Sequence, residues 1–115
     1  VQFSVMGGIS HLTATPAEID LYVKDKGKLG KYLDEIFDEY VTGYARSKVL
    51  WDMSAIGYLI EPSWTPSYLT SSPYVAENGE YTFNKHRHQI RYVYYINRDQ
   101  MLGDFFKKLD EYSKK

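Results

Sequence analysis

From Leu29 onward the apolar positions fall at Leu29, Tyr32, Leu33, Ile36, Phe37, Tyr40, Val41 and Tyr44, a rhythm of threes and fours that lines one side of a helix. Lys31, Asp34, Glu35, Asp38 and Glu39 take the other side, so the spacing predicts a long amphipathic helix with a wet, acidic face. Before it, "TATPAEIDLYVKDKG" carries a helix start. Thr15 can cap, Pro16 suits the first helical position, and Glu18 completes a capping box with Thr15. Gly27 is the expected stop. At the beginning, Val1, Phe3 and Val5 alternate with Gln2 and Ser4, the period of a strand with one buried face. A strand with no element before it reads as the start of a trimmed chain.

A different pattern occupies "SKVLWDMSAIGYLIEPSW", Ser47 to Trp64. Met53, Ala55, Ile56, Tyr58, Leu59 and Ile60 leave almost no polar side. The helix from Asp52 to about Ile60 is therefore expected to be buried all round, with Glu61-Pro62 ending it. Ser63 to Ser72 reads as loop with a short strand near Tyr68 and Leu69. "PYVAENGEYTF" signals a hairpin, because Asn78-Gly79 is the favoured pair for a type I′ turn and Tyr74, Ala76, Tyr81 and Phe83 alternate around it. A basic loop, "KHRH", leads to the strand "QIRYVYYIN". From near Asn97, Met101, Leu102, Phe105, Phe106, Leu109 and Tyr112 form the stripe of a last helix. Asp99 near its start and Lys114 and Lys115 at its end follow the order the helix dipole favours. The expected fold class is α/β, α+β-like for a fragment. About four helices surround a small, mostly antiparallel strand set, in one domain or piece of a domain spanning 1–115.

Composition narrows the function classes. The apolar share of 43% permits a packed core, and 12 Tyr residues point to partly wet surfaces, pockets or interfaces. A net charge of −1 argues against nucleic acid as a partner. No apolar run approaches the length of a membrane span and no signal peptide is visible, so no membrane partner is expected. The absence of Cys excludes disulfides, thiolate chemistry and Cys-based zinc sites, which fits the cytoplasm without requiring it.

Three groups carry candidate chemistry. Asp52 stands at the mouth of the apolar run, where a carboxylate is either a helix cap or a cation ligand. A charge among Trp51, Met53 and Ile56 is costly unless it is paired, and helix N-termini at strand ends are where α/β proteins place ligands. Lys85, His86, Arg87 and His88 read by default as a solvated loop. His86 and His88 share a strand face, but His11 is the only other His, and Arg87 with Arg91 would suit a phosphate or carboxylate clamp. Tyr40 and Tyr44, one turn apart, are either core residues or a platform for a flat ligand such as a nucleobase. No nucleophile triad and no recognised phosphate loop is readable, "MGG" being too short a signal. The paired carboxylates lie on exposed helix faces.

In order and content, "SHLTATPAEIDLYV", the long helix, "SKVLWDMSAIGYLIEPSW", the hairpin and "RHQIRYVYYINRDQMLGDFFKKL" together resemble the C-terminal portion of a nucleoside hydrolase, the inosine–uridine-preferring N-ribohydrolases. The resemblance covers nearly all of this chain and about the last third of such an enzyme, and "WDMSAIGYLIEP" is its most specific part. It implies an open-sheet domain, a ribonucleoside substrate, and Asp52 as a ligand of an essential calcium ion. It also implies a chemistry in which that ion orients ribose hydroxyls and activates the water that attacks the anomeric carbon. Trp51 departs from the His that many members carry before this Asp to protonate the leaving base, and joins Tyr40 and Tyr44 as a candidate substrate contact. The family's Asp-rich motif, with its general base, and the ribose-binding Asn and Glu are not in these 115 residues. No catalytic residue is therefore assigned, and the chain alone is expected to be silent, because one carboxylate supplies too few of calcium's six to eight oxygens. Self-association through the exposed edge of the first strand is expected. The alternative is a self-contained, Tyr-rich binding domain without catalysis.

Overall fold

The first helix forms where its capping box predicts. Thr15 is extended, its Oγ1 accepts the Glu18 N–H at 3.2 Å, and Glu18 Oε1 accepts the Thr15 N–H at 3.1 Å. Helix α1 (Pro16–Tyr22) thus begins with its orphan donors satisfied from both sides. Gly27 is not a stop but the first residue of α2 (Gly27–Tyr40). The chain is described here by a computed structural model over residues 1–41 and 46–115.

Helix α2 is amphipathic but is rotated from the expected face. Phe37 is buried, whereas Leu29, Tyr32 and Tyr40 are exposed, and Asp34, expected on the wet side, is only 8% exposed. The reason lies one turn earlier. Gly30 packs so closely on α1 that a Cβ there would sit 2.1 Å from the Val23 carbonyl oxygen, which turns the Gly30–Asp34–Phe37 side inward. The helix ends at Tyr40, because Val41 is already extended (φ −138°, ψ 125°). The Tyr44 position lies outside the described residues.

Ladders are short. β1 (Gln2–Phe3) runs parallel to β7 (Gln89–Val93), and β4 (Ser67–Ser71) runs antiparallel to β7, giving a three-stranded sheet with β7 at its centre. Val5, expected to continue the first strand, instead opens a 3₁₀ turn over Val5–Gly7. A second ladder, β2 (Thr13–Ala14) with β3 (Lys48–Val49), carries no alternation that the sequence announces. The hairpin β5 (Tyr74–Val75) and β6 (Tyr81–Thr82) forms as expected, but its turn is not type I′. Gly79 has φ 85° while Asn78 stays at negative φ, and Gly79 N–H donates to the Ala76 carbonyl at 2.9 Å. This is the longer loop with one left-handed residue and a bulge.

Among the described residues, four helices with small, mostly antiparallel sheets make a mixed, α+β structure. Helix α3 (Met53–Ile60) ends at Glu61-Pro62 as expected, and α4 (Arg98–Ser113) starts at Asn97, whose side chain accepts the Gln100 N–H at 3.2 Å. The core gathers Leu12, Val23, Phe37, Val93, Ile96 and Leu102 between the helices and the central strand. Helix α3 also departs from expectation. Ile56, Leu59 and Ile60 are exposed, so α3 is not buried all round.

Asp34 generates a prediction. Its Oδ1 is buried without a hydrogen-bond partner. Burial, then the Asp38 charge, raises its carboxyl above the ordinary Asp value, with Asp20 and Glu35 adding to the rise and Lys24 opposing it. The folded state therefore holds this proton more tightly than the unfolded chain, and stability falls as pH rises through the window just above the ordinary Asp range. Asp34→Ala should flatten that fall and gain about 1 kcal/mol at pH 7, the low end of the cost of an unsatisfied buried polar group. Urea unfolding at several pH values measures both. A variant less stable than the parent at pH 7 would contradict the account.

Candidate functional site

Asp52 reaches its position through a tight run of backbone contacts. After β3 the Leu50 N–H donates to the Leu12 carbonyl at 2.8 Å, and the chain turns at Trp51-Asp52 into α3. The first N–H groups of that helix are taken up locally: Met53 N–H by the Leu50 carbonyl at 3.2 Å and Ser54 N–H by the Trp51 carbonyl at 3.4 Å. Ser54 Oγ also donates to the Trp51 carbonyl at 2.8 Å. Asp52 sits at the N-cap position with helical backbone angles (φ −78°, ψ −16°), and its side chain makes no cap hydrogen bond. The side-chain cap is not formed. Nor is the carboxylate buried among Trp51, Met53 and Ile56, because α3 meets the core through Ser54 and Gly57 and leaves Asp52 and Trp51 exposed.

Tyr40 is no core residue. It is 71% exposed, with the Lys48 ammonium 4.8 Å from its ring centroid, a cation–π contact. It stands beside an apolar cavity of about 370 Å³ whose walls come from α2, α4 and the chain around Asp52, including Phe37, Lys48, Leu50, Met53 and Phe105. The structure thus brings Tyr40 together with the residues flanking Trp51 and Asp52, while those two side chains themselves do not line the cavity. Lys48 is the polar residue that sequence reasoning missed. Its signal would have been the β2–β3 pairing, which two-residue strands do not reveal.

The basic loop is tied down. Arg87 Nη1 donates to the Pro73 carbonyl at 2.5 Å and the guanidinium lies 5.3 Å from the Tyr74 ring centroid, so this cation fastens the base of the hairpin. Arg91 Nη1 donates to Ser67 Oγ at 3.1 Å across the sheet. The pair does not form a free clamp. Lys85 and His86 line a shallow, open surface with Tyr74 and Phe83. Among the described residues no group of three or more His, Cys, Asp and Glu is arranged to hold a metal ion.

A cleft between α1 and α4 holds the other concentration of charge, and most of its charges are paired. Arg98 donates to Glu18 Oε1 at 2.6 Å and to the Thr13 carbonyl at 2.9 Å, and Lys26 Nζ lies 2.6 Å from Asp110 Oδ1. Burial pulls the Glu18 carboxyl upward. The Arg98 hydrogen bond, the Thr15 N–H and the Arg98 charge outweigh it and hold the group below its ordinary value. These pairs fasten α1 to α4, and Lys107, which also lines the cleft, takes part in none of them.

Comparison of the chain with family models, curated proteins and solved structures finds no match. Its candidate site therefore rests on geometry. Because Asp52 makes no cap bond, Asp52→Ala should leave stability within about 0.5 kcal/mol of the parent. Thr15→Ala, which removes a working capping box, should cost about 1 kcal/mol. Parallel urea unfolding curves compare the two, and an equal loss in both variants would restore Asp52 as a cap.

Proposed function

We propose that this chain is the C-terminal portion of a calcium-dependent N-ribohydrolase of the nucleoside hydrolase kind, cleaving the N-glycosidic bond of ribonucleosides. In this reading Asp52 is one calcium ligand, while Trp51 and Tyr40 lie toward the base. The observation that carries it is the Asp52 carboxylate. It opens the apolar helix, is exposed, and makes no cap hydrogen bond, so its oxygens are available to a cation. The resemblance of "WDMSAIGYLIEP" gives that free carboxylate its chemical meaning.

The donor set of this chain does not by itself fit calcium. The ion takes six to eight oxygens, and Asp52 supplies two at most. Residues beyond these 115 must provide the rest, and no catalytic step is derived from this portion. A second reading, a Tyr-rich binding domain, has one observation in its favour. Tyr68, Tyr92 and Tyr94 cluster on the sheet, with ring centroids 5.5 and 5.7 Å from that of Tyr68.

Calcium titration of the isolated chain should show no binding tighter than the millimolar range. In a longer protein carrying this sequence, Asp52→Asn should collapse ribonucleoside hydrolysis, with partial rescue by excess calcium, because Asn keeps the shape and removes the charge. Full activity of that variant without added calcium would refute the metal role. A coding sequence that opens at Val1 would refute the hydrolase reading altogether and favour the binding domain.

A further inference from the structure

The tip of the β5–β6 hairpin puts a carboxamide next to an unhindered backbone nitrogen. Asn78 and Gly79 are both exposed, and Gly79 has no Cβ to screen its own nitrogen. The space around it is open as well, since a Cβ built there would meet nothing within 4 Å. We propose that Asn78 is a site of spontaneous modification, at which the chain loses the amide and takes up isoaspartate.

The step needs only water and its hydroxide as co-reactants. The Gly79 nitrogen gives its proton to hydroxide and attacks Asn78 Cγ, an intramolecular approach that needs no encounter. The N–Cγ bond forms, the Cγ–Nδ2 bond breaks, and ammonia leaves with a proton taken from water. The product is a cyclic imide. Water then opens the ring on either side of the nitrogen. Cleavage at Cγ leaves aspartate, and cleavage at the main-chain carbonyl leaves isoaspartate, with the backbone routed through the side chain. Nothing is oxidised or reduced. The reacting atoms are neighbours along the chain, so no other segment or partner has to supply a group.

The fold opposes the step only weakly. In the closed turn the Gly79 N–H donates to the Ala76 carbonyl at 2.9 Å, and Asn78 Oδ1 accepts the Glu80 N–H at 3.0 Å. Both groups must be released before they can meet. The ladder that holds them pairs only Tyr74 with Thr82 and Val75 with Tyr81, and all of these residues are exposed. A hairpin of that size is marginal by itself, and such segments open at little cost in free energy. The other asparagines, Asn84 and Asn97, are followed by Lys85 and Arg98, whose side chains crowd the attacking nitrogen. Asn97 is also fixed as the cap of α4.

Modification removes what closes the turn. Isoaspartate adds a carbon to the backbone between Ala76 and Glu80, which disrupts the 2.9 Å bond from the Ala76 N–H to the Glu80 carbonyl. The new carboxylate also stands between Glu77 and Glu80, where like charges oppose reclosure.

Incubation of this chain in mildly alkaline buffer, followed by peptide mapping with mass spectrometry, tests the proposal. Asn78 should convert to aspartate and isoaspartate, with the second in excess. Its rate should lie within roughly threefold of that in a free peptide of residues 74–83, because opening costs so little. Asn84 and Asn97 should keep their amides over the same period. Asn78→Gln should lose the reaction, because the longer side chain must close a larger ring, while circular dichroism stays that of the parent. Hydrogen exchange at the Ala76 amide should rise in the aged parent and not in the aged variant. These readouts involve neither calcium nor nucleoside hydrolysis, so they leave the Asp52 reading to its own test. A folded chain that keeps its Asn78 amide long after the peptide has lost its own overturns the proposal. So does amide loss led by Asn84 or Asn97, or a product that is aspartate alone.

Discussion

Gly57 packs on the Met101 side chain: a Cβ on it would lie 2.3 Å from Met101 Cε and 2.7 Å from its sulfur, so a larger residue would make that thioether move. With Ser54 it forms the buried side of α3, and that side sets how the helix is turned about its own axis. Everything notable about the candidate site follows from this rotation. The small residues go inward, Leu59 and Ile56 go outward, and a hollow remains beside them. At the helix start, Asp52 is carried to the surface, and the Leu50 and Trp51 carbonyls take the N–H groups that a cap would have served.

The helices around that contact are held by a small set of polar ties. Arg98, the first residue of α4, reaches the Thr13 carbonyl of β2 and the Glu18 carboxylate of α1, so one guanidinium joins three elements. Lys26 and Asp110 repeat the tie farther along α4, and Tyr22 stacks on Phe106 between them with centroids 5.1 Å apart. These charges are structural in effect. They explain why the charged cleft is a weaker functional candidate than the lone Asp52.

What the sequence reveals is what local chemistry decides. The Thr15–Glu18 box, the break at Glu61-Pro62 and the hairpin around Asn78-Gly79 are readable because a few neighbouring residues settle them. Register and rotation are less accessible. The apolar run of α3 says that the helix should be covered, but periodicity cannot say whether this chain supplies the cover. Asp34 fits the wet side by spacing, and only the close approach at Gly30 turns it inward. The pairing of β2 with β3 depends on contacts between residues distant in sequence, so Lys48 was not visible as a neighbour of Tyr40. In the candidate site, the place of Asp52 at a helix start was legible. Its freedom from capping was not, because that depends on the angles of a single turn.

The orientation of α3 is thus the claim on which both the free carboxylate and the apolar face depend. Its direct measurement is methyl-resolved nuclear magnetic resonance with a soluble paramagnetic probe. The account predicts strong relaxation of the Leu59 and Ile56 methyl groups, with the Met101 methyl group protected. Leu59 methyl groups shielded from the probe, or a Met101 methyl group open to it, would contradict it.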